Sequence, residues 1–143
     1  MSANHVVQSH LECLMQECLE IDELAVNDNG SIGVSVPGGG YYARVRERGE
    51  GPHLEVYSVL LSEIDKDPGL LEKLNDLNAR LSHTRVFWSD RQVVVAGEIL
   101  GATAEVTGLS CLCEEVSGMV VHCAEEIQSV FGGLLHHERE DSE

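Results

Sequence analysis

Apolar residues along the first quarter of the chain recur at helical steps. Val7, Leu11, Leu14, Cys18 and Ile21 fall on one face of an amphipathic helix expected over about 5–24, with Ser2 or Asn4 as its cap. Asn27-Asp28-Asn29-Gly30 is a turn. Beyond it the period changes to two. Ile32, Val34 and Val36 alternate with Ser31, Gly33 and Ser35. After the Pro37–Gly40 loop, Tyr41, Ala43 and Val45 alternate with Tyr42, Arg44, Arg46 and Arg48. Gly49-Glu50-Gly51-Pro52 breaks that strand and Leu54–Leu61 forms the next, so three strands on short connections predict an antiparallel meander.

Asp67-Pro68 then marks a helix start, a capping carboxylate followed by proline at the first helical position. Leu70, Leu71, Leu74, Leu77 and Leu81 trace the stripe of that helix. Two strands, Thr84–Ser89 and Gln92–Leu100, flank a tight Asp90-Arg91 turn. A long last helix begins near Thr103–Glu105, with Leu109, Leu112, Val116, Met119, Val120, Cys123, Ile127 and Val130 on its stripe, and stops at Gly132-Gly133. The predicted architecture is α+β, a two-layer sandwich in the order α-β-β-β-α-β-β-α. Its five-stranded antiparallel sheet carries the helices on one face. Residues 1–133 are expected to form one domain and 134–143 a flexible acidic tail.

Charge narrows the function. Nine basic residues against 25 acidic ones give the 143-residue chain a net charge of −16. That balance argues against nucleic acid, whose phosphates need clustered Lys and Arg, and against anionic membrane surfaces. No apolar run reaches the ~20 residues of a membrane span, and Met1–His10 lacks the basic start and apolar run of a secretory signal. The expected location is cytoplasmic. Five cysteines, 13, 18, 111, 113 and 123, then read as reduced thiols.

Candidate chemistry is sparse. Cys111 and Cys113 lie two apart on a helix, where their side chains diverge by about 200°, so they are poorly placed to share a metal ion. His122 and Cys123 diverge by about 100° and make no nucleophile–base pair. Nucleophile elbow and phosphate loop are both lacking. No catalytic residue, metal ligand or cofactor is therefore expected. The polar feature that stands out is the row Arg44, Arg46, Arg48 on one face of one strand, in a chain with nine basic residues. Alternate residues stand ~6.6 Å apart. The row is either a solvated face, with cross-strand Arg–Glu pairs worth under about 1 kcal/mol each, or an aromatic and guanidinium surface for an extended acidic or mixed peptide. In the second case Arg44, Arg46, Arg48, Tyr42 and Tyr57 would bind the client. The leucines of the second helix exceed what one side of a sheet needs, which points to a homodimer with Leu70, Leu74 and Leu77 at its interface.

The segment Leu74-Asn75-Asp76-Leu77-Asn78-Ala79-Arg80-Leu81, followed by Arg85-Val86-Phe87-Trp88 and by Val93–Leu100, resembles proteins of the YbjN and type III secretion chaperone-like (CesT-type) superfamily, in its actinobacterial branch. Val130-Phe131-Gly132-Gly133 fits too, and the resemblance covers roughly 30–133. It implies a non-enzymatic, commonly homodimeric module that holds a client protein or peptide, with no catalytic residue to carry over. The other function compatible with it is a regulatory or structural homodimeric subunit with one fixed protein partner. One departure stands out: the last helix is rich in Cys and Val where relatives tend to have Ala and Glu.

Overall fold

The computed structural model of the chain describes residues 3–135. Helix α1 (Ala3–Leu19) is followed by β1 (Ala25–Val26), β2 (Ile32–Val36), β3 (Gly39–Arg48) and β4 (Gly51–Ser62). Then come α2 (Pro68–Asn78), β5 (Arg85–Ser89), β6 (Gln92–Leu100), α3 (Val106–His122) and α4 (Ala124–Phe131). All strand pairs are antiparallel, in the order β1-β2-β3-β4-β6-β5. The α+β class and the single antiparallel sheet are as expected, with six strands in place of five.

Three differences have local causes. The extra strand β1 is two exposed residues folded back on β2 by the Asn27–Ser31 turn, where the Asn27 N–H donates to the Ser31 carbonyl at 2.8 Å. A strand of two residues is too short to show an alternation. Helix α1 ends at Leu19 rather than near Leu24. Glu20 adopts φ 55° and the Ile21 N–H reaches back to the Gln16 carbonyl at 3.2 Å. This closure is ordinarily built with glycine, and here a glutamate occupies the left-handed position. The last helix is divided at Cys123, whose φ of −112° interrupts it.

Turn chemistry is otherwise as the sequence dictates. Asp67 caps α2 through Oδ1, which accepts the N–H groups of Gly69 (2.8 Å) and Leu70 (3.2 Å). Asp90 and Arg91 both take positive φ, 51° and 60°, the geometry that closes a two-residue hairpin between β5 and β6.

One face of the sheet carries the helices. Ile32, Tyr41, Ala43, Leu54, Val56 and Val95 meet Leu11 and Met15 of α1 and Leu109, Leu112 and Val116 of α3 in a single core. A bulge between Val59 and Leu61 turns both Leu60 and Leu61 inward. Helix α2 packs beside β5 at the sheet edge. Leu134 pairs with Ser62 (2.9 and 2.8 Å) and Leu135 is buried, so the fold runs two residues past Gly133. The remainder of the expected tail, 136–143, lies outside the described residues.

Candidate functional site

Among the described residues no helix lies over the opposite face of the sheet. The alternation of β3 sends Tyr42, Arg44, Arg46 and Arg48 there, and the register with β4 sets Tyr42 opposite Tyr57, Arg44 opposite Glu55 and Arg46 opposite His53. Glu55 in turn faces Glu98 on β6. Two carboxylates directly opposite would repel in isolation. Basic groups on all sides reverse that.

Glu55 is almost wholly buried, its side chain 2% exposed, and two guanidinium groups close over it. Arg44 donates from Nε and Nη2 to Oε1, both at 2.7 Å, and Arg46 donates from Nη1 to Oε2 at 3.1 Å. Glu98 accepts from Arg48 and lies 3.1 Å from His53 Nδ1. The Arg48 hydrogen bond comes first among the causes that hold the Glu98 carboxyl down at about 2, helped by His53 and the Arg46 charge and opposed by burial. These pairs are not the weak, fully solvated contacts of a surface row. Removing Arg44 and Arg46 leaves the Glu55 charge in a dry place.

Next to this ionic layer, two residues along the strands, the face is aromatic. The Tyr42 and Tyr57 rings stack with centroids 5.7 Å apart, and the Arg44 guanidinium lies 4.3 Å from the Tyr57 centroid. Beyond Tyr57 the surface drops into a trough of about 420 Å³. Its floor is Val59 of β4 with Ala96, Val94 and Gln92 of β6. One bank is Tyr57 with Arg44 and Arg46; the other is Arg85, Phe87 and Ser89 of β5. Sequence reasoning missed the second bank and the floor. Arg85 and Phe87 do alternate on their strand, but only the strand order brings β5 within reach of the arginine row.

The residues expected at a dimer interface are elsewhere. Leu70, Leu74 and Leu77 are buried in the chain's own core, which already covers the inner side of α2. The apolar residues left exposed in this region are Leu71 of α2, at 38%, and Val130 of α4, at 70%.

A second concavity, of about 360 Å³, lies between α1 and α3 and is lined by Cys18, Tyr41, Cys113, Val121 and His122, among others. Burial pushes the Cys113 thiol up to about 12, so it stays protonated and unreactive near neutrality. Among the described residues no three His, Cys, Asp or Glu side chains gather as a metal site would require, and no helix is long and apolar enough to cross a membrane.

A sheet with helices on one face and an aromatic and basic trough on the other defines an α+β module with one sheet face left open among the described residues. The model of the family described as T3SS (YopN, CesT) and YbjN peptide-binding chaperone 1 matches residues 5–139, and the chain belongs to that family. It is a family of chaperones, a non-enzymatic class. Three solved structures share the fold at low identity. The ExsC–ExsE complex matches at 12% identity and TM-score 0.54, over 84% of this chain and 95% of that one. The HopA1–SchA chaperone–effector complex matches at 12% and 0.55, over 82% and 96%. The Yersinia pestis type III secretion chaperone SycH, bound to a fragment of YscM2, matches at 15% and 0.54, over 80% and 97%. Among curated proteins none matches the chain.

Proposed function

We propose that the protein holds a client polypeptide in extended form on the open face of its sheet, in the cytoplasm and as a homodimer. The observation that carries this is the trough beside Tyr57, a concave strip with an apolar floor and arginines on both banks, on a sheet face that no helix covers among the described residues. The family's peptide-binding character supports the class of ligand. Arg44, Arg46, Tyr42 and Tyr57 form the near bank and its shoulder, and Arg48, tied to Glu98, extends the basic row along β3. Dimerisation through the outer sides of α2 and α4 leaves this face free, because the sheet lies between it and the helices.

The test is to fill the trough without touching the ionic layer. Val94 is half-buried on the floor, and Val94→Trp places an indole in the open space. Client capture from native cytoplasm, quantified by mass spectrometry against wild type, should fall about tenfold or more while the thermal midpoint moves by a few degrees at most. Undiminished capture by a folded V94W would rule the open face out. Light scattering should give about twice the 15.6 kDa chain mass, and a monomer at micromolar concentration would remove the dimer.

A further inference from the structure

The trough carries enough chemistry to say what kind of segment it takes. Its floor runs along β6 as Ala96, Val94 and Gln92, alternate residues of one strand and so ~6.6 Å apart. An extended ligand lying along it has the same spacing between its own alternate side chains, so each rung of the floor meets one ligand residue.

The rungs differ. At the Ala96 rung the floor is small, and basic groups stand on both sides. Ala96 pairs with Tyr57 on one strand and Arg85 on the other, and Arg44 lies over that Tyr57 ring. Arg44 and Arg46 share the single carboxylate of Glu55, which leaves one positive charge in excess, and their side chains are each 40% exposed. Among the described residues Arg85 has no carboxylate partner; its guanidinium rests 5.3 Å from the Phe87 centroid. At the Val94 rung the surroundings are apolar, with Val59 on one side and Phe87 on the other, both in register. At the Gln92 rung Ser89 pairs with Gln92 and Asp90 follows, a polar end with no excess of positive charge.

We infer that the trough selects an extended segment bearing a carboxylate side chain two residues away from a branched aliphatic one, the carboxylate between Arg44, Arg46 and Arg85 and the aliphatic group on Val59, Val94 and Phe87. This rests on the open-face site proposed above and names the ligand for it. In a chain of net charge −16 the acidic group is drawn by local pairing, since beyond about 8 Å the protein's own field is largely screened at physiological salt. The guanidinium N–H groups that Glu55 leaves over are the donors such a carboxylate needs.

The experiment uses the full chain, isotopically labelled, with four capped nine-residue peptides differing only at their centre: Glu-Ala-Leu, Gln-Ala-Leu, Glu-Ala-Ser and Glu-Leu-Ala. Glu-Ala-Leu should shift the backbone amides around Val59, Val94 and Ala96. The Gln, Ser and adjacent-residue versions should each bind about tenfold more weakly. Arg85→Ser, an exposed substitution, should lower affinity for Glu-Ala-Leu about tenfold and for the Gln peptide by clearly less; an equal loss for both peptides would overturn the carboxylate preference. Equal binding of the Glu and Gln peptides in the trough would overturn the carboxylate preference and leave the open-face site standing. Equal binding of Glu-Leu-Ala would overturn the two-residue register in the same way. If all four leave the trough amides unmoved, or shift only α1 and α3, both the ligand and the open-face site fall.

Discussion

Asn78, the last residue of α2, closes both backbone groups of Val86 on β5. Its Nδ2 donates to the Val86 carbonyl at 2.8 Å and its Oδ1 accepts the Val86 N–H at 2.8 Å. Because β5 is an edge strand, this carboxamide occupies the place of a missing strand partner and blunts the edge. It also gives a physical role to the second asparagine of the Leu-Asn-x-Leu-Asn segment.

Asn78→Ala should therefore cost about 1–2 kcal/mol, two hydrogen bonds at roughly 1 kcal/mol less what water restores, measured by urea denaturation. Asn78→Asp keeps the acceptor and loses the donor, and should fall between. Both variants should also aggregate sooner on gentle heating, because the freed Val86 groups can template another strand. A variant as stable as wild type, and as slow to aggregate, would show that the clamp does not matter.

The arginine row behaves differently from a surface decoration. Glu55 is buried, so replacing both Arg44 and Arg46 by Ser should destabilise the fold by about 3–5 kcal/mol, the cost of an orphaned buried charge. Adding Glu55→Gln to that double variant should recover a measurable part of the loss, since the charge is then gone. Denaturant midpoints of the three proteins check this. Equal stability of wild type and R44S/R46S would mean that Glu55 finds water instead.

Much of this was legible in the alternation of β3. A period of two across Tyr41–Arg48 placed the arginines on one face and Tyr41, Ala43 and Val45 on the other, where the structure has them. What alternation could not supply is which strand lies beyond β4. The chain places β6 there and β5 outside it, so Glu98 and Arg85 join the face from residues 30 to 50 positions away. The burial of Glu55 follows from that neighbour. Leu70, Leu74 and Leu77 show the same limit: a helical stripe reports that something apolar covers it, not whether the cover is the same chain.

Acid should weaken the fold in a defined window. The Glu98 carboxyl is held at about 2, below its ordinary 4.5, so the folded form favours the ionised group. Its contribution is complete above about pH 4.5 and is lost as pH falls from there toward 2. Glu115 acts in the same direction. Burial alone would raise it, but the Thr84 hydroxyl and the N–H groups of His83 and Ser82 donate to it and bring it below the usual range. Thermal midpoints of wild type and Glu98→Gln should differ at pH 6 and converge as pH approaches 2. Curves that stay parallel through this window would place the acid sensitivity elsewhere.

Gly97 joins the site to the core. It sits on β6 between Ala96, at the floor of the trough, and Glu98, and its missing side chain would point to the helix side. A Cβ there would lie 2.6 Å from Leu112 Cδ2 of α3, 2.9 Å from the His83 carbonyl oxygen and 2.9 Å from Thr84 Cγ2. The leucine tip can swing aside, but the carbonyl belongs to the loop that Glu115 holds through the Ser82, His83 and Thr84 N–H groups. The glycine thus lets α3 and that loop approach the strand together. Gly97→Ala should destabilise by about 1–3 kcal/mol through overpacking, with the loss read by urea denaturation. Leu112→Ala in the same chain removes the movable clash and leaves the carbonyl one, so the double variant should stay less stable than Leu112→Ala alone. Full rescue by the smaller residue would instead assign the tightness to Leu112.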